Sequence, residues 1–254
     1  MTKQEKAVLD IEKRLELSSD RVKRNTVIVT PDDLKQDYVL HIAIKSKTTF
    51  VPHISKIAAH SEDNTLPRVH TAPSLLGCII GFSSSEYLAT NFIPNDSNKD
   101  KNKYQDPTVE DPYLGGMYIH KLKFIAALKP NKKLVFDSED TGEVWLICYD
   151  EDTRKYTAEV SGKLVISRIE YEPVVGDYPA RTVVFMAEIT DSDGLMLDNE
   201  TKLTKGYWSI SVETTGNKAK AEKISKAIFD KDRTKKAALL SMETRKPLSS
   251  LYSW

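Results

Sequence analysis

YTAEVSGKLVISRIEYEP, residues 156–173, is rich in β-branched and aromatic side chains and reads as strand. Ser161-Gly162 interrupts it. The stretch is therefore expected to form two strands, 156–160 and 163–170, joined as a hairpin. Working outward, 115–119, 133–136, 143–149, 181–190 and 206–213 are further short apolar runs bounded by turn residues. Asp193-Gly194 is an expected turn between two of them. Closer to the N-terminus, 25–30 and 37–44 carry the same signature, separated by Pro31-Asp32-Asp33, which reads as a short helical turn.

Residues 3–17 contrast with this pattern. Val8, Ile11 and Leu15 recur at helical spacing among Lys and Glu, which predicts an amphipathic helix within an N-terminal helical segment, 1–24. At the other end, Ala221, Ile224, Ala227 and Ile228 suggest an apolar stripe, so a basic helix is expected over 216–245. The polar tract 95–112 reads as a solvated loop, and 74–82, SLLGCIIGF, fits a buried helix turn or a strand equally well. Its Gly77 and Gly81 are expected to allow close packing. The fold class that follows is α+β: one domain, 1–254, with a central mixed or mainly antiparallel sheet flanked by N-terminal and C-terminal helices.

Acidic and basic residues balance at 37 each, so no global field draws the chain to nucleic acid or an anionic membrane. Within the basic tail, 216–237 holds eight Lys or Arg against three Asp or Glu but no aromatic series for base stacking, and nucleic acid is not the expected partner. The opening MTKQEKAVLDIEKRLEL lacks the apolar core of a signal peptide, and no run reaches the length of a membrane span. A cytoplasmic protein with a protein partner is expected. Cys78 and Cys148 sit in apolar runs and are expected to be buried free thiols.

Three of the five histidines fall between Phe50 and Phe82, in FVPHISKIAAHSEDNTLPRVHTAPSLLGCIIGF. The candidate ligand or partner contacts are His53, His60, Glu62, Asp63, Arg68 and His70. Intervals of seven and ten between the histidines match neither HExxH nor a paired CxxC, and no metal is expected. P-loop, GxGxxG and GxSxG patterns are absent. A carboxylate from Glu62 or Asp63 can fix Arg68 as a structural clamp; the same group can instead hold an anionic ligand.

Tyr38-Val-Leu-His41, then Pro67-Arg68 separated by four residues from Pro73 with the apolar run after it, then Glu143-Val-Trp145 resemble a group of uncharacterised, mostly phage-encoded proteins over residues 38–171. That resemblance implies an accessory protein acting by macromolecular binding, without a cofactor; a virion-associated structural protein is an alternative. The same order faintly resembles the ADP-ribosyltransferase superfamily. That likeness implies an enzyme using NAD, with His41 on the dinucleotide ribose, Glu143 as the catalytic acid and Tyr87 or Tyr118 stacked on nicotinamide. The chain departs from that superfamily in two places: IAIKSK follows His41, and Thr141-Gly142 stands where a Glu-x-Glu or Gln-x-Glu pair would begin.

Overall fold

The structure, a computed structural model, describes residues 1–43, 45–54, 63, 65–83, 117–147, 155–171, 181–215 and 218–226. It is an α+β fold with a large antiparallel sheet, as the strand-rich pattern predicts. The chain divides into two compact units. The first is Met1–His41, Lys47–Gly81 and His120–Val160; the second is Ile42–Ser46, Phe82–Ile119 and Ser161–Trp254.

In the first unit, α1 (Lys3–Glu16) starts at a capping box in which Glu5 N–H donates to the Thr2 hydroxyl and Thr2 N–H donates to the Glu5 carboxylate. Ile11, at the centre of the expected stripe, is fully buried, with Val8 and Leu15 packed beside it. α2 (Asp20–Asn25) adds Val22 to the same core. A four-stranded antiparallel sheet follows, in the order β1 (Thr26–Val29), β6 (Ala127–Pro130), β7 (Val144–Leu146), β4 (Val69–Thr71). Its core side chains include Leu128, Leu134 and Trp145. Pro31–Leu34 is the short helix expected there, α3.

The ambiguous apolar run resolves as helix α4 (Leu75–Ser83). Gly77 does allow a close approach: a Cβ there would lie 2.1 Å from the Thr141 carbonyl oxygen. The expected strand at 133–136 is instead a turn, in which both Leu134 and Val135 N–H donate to the Asn131 carbonyl. Asn131 sets the turn locally: its side chain also accepts from the Lys133 N–H, at 3.0 Å, so these backbone groups bond within the turn and not to a neighbouring strand.

The larger sheet has the order β13 (Lys218–Lys226), β12 (Gly206–Thr215), β9 (Arg181–Ile189), β8 (Tyr156–Tyr171), β5 (Met117–Lys123), β2 (Tyr38–Ala43), with β3 (Thr49–Phe50) paired to β8. Two sequence expectations fail here. First, β8 runs unbroken through Ser161-Gly162 for 16 residues. Gly162 marks a close approach, not a turn: a Cβ there would sit 2.5 Å from the Glu188 carbonyl oxygen on β9. Second, the expected 216–245 helix is overturned over Lys218–Lys226, which pairs antiparallel with β12 from Thr215↔Lys218 to Trp208↔Lys226. Ladder bonds to β12 outweigh local helix propensity, and a register shift at Ser211/Val212 had blurred the period of two. Residues 227–245 and the 95–112 loop lie outside the described residues. The expected Asp193-Gly194 turn is present, with Gly194 at φ 74° ahead of the small hairpin of β10 (Leu195–Met196) and β11 (Lys202–Leu203).

Candidate functional site

β4 and β7 pair with His70 directly opposite Trp145. Side chains two apart on a strand share a face, so Arg68 and His70 from one segment meet Glu143 and Trp145 from the other. Gly142, at φ 64°, ends the turn Ser138–Thr141 and delivers Glu143 to that face.

The four side chains form one hydrogen-bonded chain. Arg68 Nε donates to His70 Nε2 at 3.1 Å. An arginine Nε always carries its hydrogen, so His70 Nε2 is the accepting nitrogen and the ring proton sits on Nδ1. His70 Nδ1 donates to Glu143 Oε1 at 2.5 Å, and Trp145 Nε1 donates to the same oxygen at 2.7 Å. Arg68 is 1% exposed, and its guanidinium carbon lies 4.1 Å above the Trp145 ring. One guanidinium nitrogen also donates to the carbonyls of Asp63, at 2.7 Å, and Leu66, at 3.2 Å. The buried cation is thus linked to the Glu143 carboxylate through a neutral imidazole.

Asp63 takes part through its backbone; its carboxylate is used elsewhere. Oδ2 accepts from the Ser19 hydroxyl at 2.6 Å and Oδ1 from the Thr65 N–H and hydroxyl. Burial pushes the Asp63 carboxyl up, but the Ser19 and Thr65 hydrogen bonds and the nearby Arg68 charge outweigh it, and the pKa falls below the ordinary carboxylate value.

His41 approaches from β2. Its Nδ1 donates to the His70 carbonyl at 2.7 Å, and its ring meets Phe50 edge-on at 4.7 Å. Phe50 in turn contacts the buried His120, whose Nε2 accepts from the Lys47 N–H at 3.0 Å. Although His41 keeps part of its surface in solvent, desolvation dominates. With His120, Lys47 and His70 adding to it against the hydrogen bond to His70, it lowers the His41 pKa to about 4. His41 is therefore a neutral ring at pH 7.

The structure brings together five of the residues singled out in the sequence: His41, Asp63, Arg68, His70 and Glu143. His53 joins them through its backbone alone, exchanging N–H···O bonds with Arg68 at 3.2 and 3.0 Å. Its exposed ring meets the Val51 carbonyl through Nδ1 at 3.1 Å. His60, Glu62 and Tyr87 lie outside the described residues. Arg68 is corrected from a partner contact to a core residue: it is 1% exposed, and its guanidinium donates inside the protein to His70 and to the Asp63 and Leu66 carbonyls. Tyr118 is corrected likewise: it is 7% exposed and clusters with Val165 and Met186, which leaves no face for nicotinamide. Cys78 is a half-buried free thiol that donates to the Leu40 carbonyl at 3.2 Å, and desolvation pushes its pKa up to about 12, which favours the thiol over the thiolate. Cys148 is outside the described residues.

Sequence reasoning missed Ser19, Phe50 and His120. Nothing local marks them, since each acts through a contact distant in sequence. Trp145 had a signal: Glu-x-Trp on a strand places both side chains on one face. Among the described residues no three His, Cys, Asp or Glu side chains are grouped to hold a metal, and no helix is long and apolar enough to cross a membrane. No protein-family model, curated protein or solved structure matches the chain.

Proposed function

We propose that this chain is a phage-type accessory protein that acts by binding a protein partner through the segment around His53. The observation that carries this reading is the exposure of apolar side chains on a pinned backbone. Val51 is 56% and Ile54 45% exposed on either side of exposed His53, while the two backbone bonds to Arg68 hold the segment to the core. Pre-ordered apolar side chains lower the entropic cost of docking. The Arg68–His70–Glu143–Trp145 chain serves this surface as its foundation.

A photo-crosslinking amino acid placed at Ile54, with Lys13 on α1 as the control position, tests the reading in the native host. A discrete adduct at position 54, lost on Val51→Asp and missing from position 13, supports it. The same adducts at both positions would sink it.

A second reading, an ADP-ribosyltransferase-like enzyme using NAD, draws on the convergence of His41 and Glu143 on His70, one on its carbonyl and one on its ring. The engaged His41 Nδ1 and Glu143 Oε1 weigh against it. Calorimetric titration with NAD, at two temperatures, is expected to give no saturable heat. Saturable binding weakened by His41→Ala with Glu143→Ala would reverse the preference.

A further inference from the structure

β1 is the outer strand of the four-stranded sheet. β6 pairs with one of its edges, and among the described residues no backbone group bonds to the other. Such an edge is a template for an added strand. Its side chains are apolar enough to pack an incoming chain: Val27 is 61% exposed, and Thr26 and Ile28 are half-buried. Over the paired face of β1 and β6, where Val27 stands opposite Lys129, opens a cleft of about 430 Å³ whose lining includes Arg24, Val27, Lys129, Pro130, Ser138 and Glu139.

Charge selects the occupant. The segments Asp20–Asn25 and Lys129–Lys133, at the start of β1 and the end of β6, hold six cations against two carboxylates when Glu139 is counted with them; Asp20 lies 3.7 Å from Lys23 and 3.8 Å from Arg24 in exposed pairs, so the excess is positive. The acid on the cleft wall, Glu139, is paired with Lys132 at 3.6 Å. A second copy of this chain docking edge to edge would bring two such basic sets together, at a cost in repulsion. Single-stranded nucleic acid would find no aromatic side chain in the cleft lining to stack on.

We propose that the open edge of β1 takes an acidic, extended segment of a protein partner as an added strand, its carboxylates meeting Arg24 and Lys129. This surface is independent of the His53 segment, so either can fail without the other.

The test uses the full chain, labelled for amide NMR, and an acidic eight-residue peptide of alternating glutamate and valine. Three comparison probes accompany it: the lysine-for-glutamate peptide, the acidic peptide N-methylated at its four central residues, and an oligothymidine. The acidic peptide is expected to bind saturably, with new amide-exchange protection confined to Thr26–Val29 and its neighbours. N-methylation should abolish binding, because it removes the main-chain donors. The lysine peptide, and separately Arg24→Glu with Lys129→Glu, should bind about tenfold more weakly or worse, with the variant's melting temperature unchanged. Equal binding by the N-methylated or the lysine peptide overturns the proposal. So does tighter binding of oligothymidine at these residues, no binding of the acidic peptide, or a dimer that protects β1 without any peptide.

Discussion

Arg68 is a guanidinium with 1% exposure, and its energetics follow from what it would leave behind. Replacing it with Met removes the donors to His70 Nε2 and to the Asp63 and Leu66 carbonyls, and strips the Glu143 side of its buried cation. Arg68→Met is expected to lower unfolding stability by about 3 kcal/mol, read from urea denaturation. Ser138 presents the opposite case. It is 1% exposed and its hydroxyl has no hydrogen-bond partner among the described residues. Ser138→Ala should therefore leave stability unchanged or raise it by up to about 1 kcal/mol; a clear loss would mean the hydroxyl has a partner after all.

His41 sets a pH dependence. Its folded pKa of about 4 lies below the ordinary value of 6.5, so the unfolded chain binds the proton more readily. The stability is present above about pH 6.5 and is lost as pH falls toward 4, by at most about 3 kcal/mol and less because part of His41 stays in solvent. Urea midpoints between pH 7 and 4.5 should fall in the parent and fall less in His41→Gln. Parallel curves would remove His41 as the cause. Much of this cluster was legible in the sequence: His70 and His41 are chemistry-bearing residues on strands, and Arg68 and Glu143 stand just ahead of β4 and β7. Their mutual use was not legible, because it depends on the register that sets His70 against Trp145 across 75 residues of chain.

At the scale of elements, β8 and β13 show where local signals mislead. Ser161-Gly162 has turn chemistry, yet glycine is required there by a neighbour: Glu188 on the adjacent strand leaves no room for a Cβ. Gly162→Ala should accordingly cost about 2 kcal/mol, measured by thermal or urea unfolding, since backbone on both strands must shift. A neutral substitution would mean that β8 bends at this point after all. For β13, Gly216-Asn217 between two runs was the available hairpin signal, and the spacing of Ala221 and Ile224 masked it. α1 was legible because its stripe, its capping box and its burial of Ile11 all agree.

For the whole molecule, the α+β class and the antiparallel sheet followed from strand-forming runs. The division into two units did not, because four of its five boundaries fall inside β2, α4, β5 and β8, where there is no linker composition to read. Function is expected to separate from stability at this scale. Val51→Asp with Ile54→Asp changes only exposed side chains, so unfolding stability should stay within about 0.5 kcal/mol of the parent while the crosslink to a partner is lost. Loss of both together would make the segment structural.

The central claim is that Arg68, His70 and Glu143 close on one another as a clamp under the binding segment, engaging both ring nitrogens of His70. The most direct test is nitrogen NMR of the His70 ring at about pH 8, where an ordinary imidazole is neutral, with the resonance assigned by its loss in His70→Asn. The account predicts a proton on Nδ1, directed to Glu143, and an Nε2 that accepts from Arg68. A proton on Nε2 would contradict it: Arg68 could not then be donating there, and the cluster would be an open site in need of a ligand.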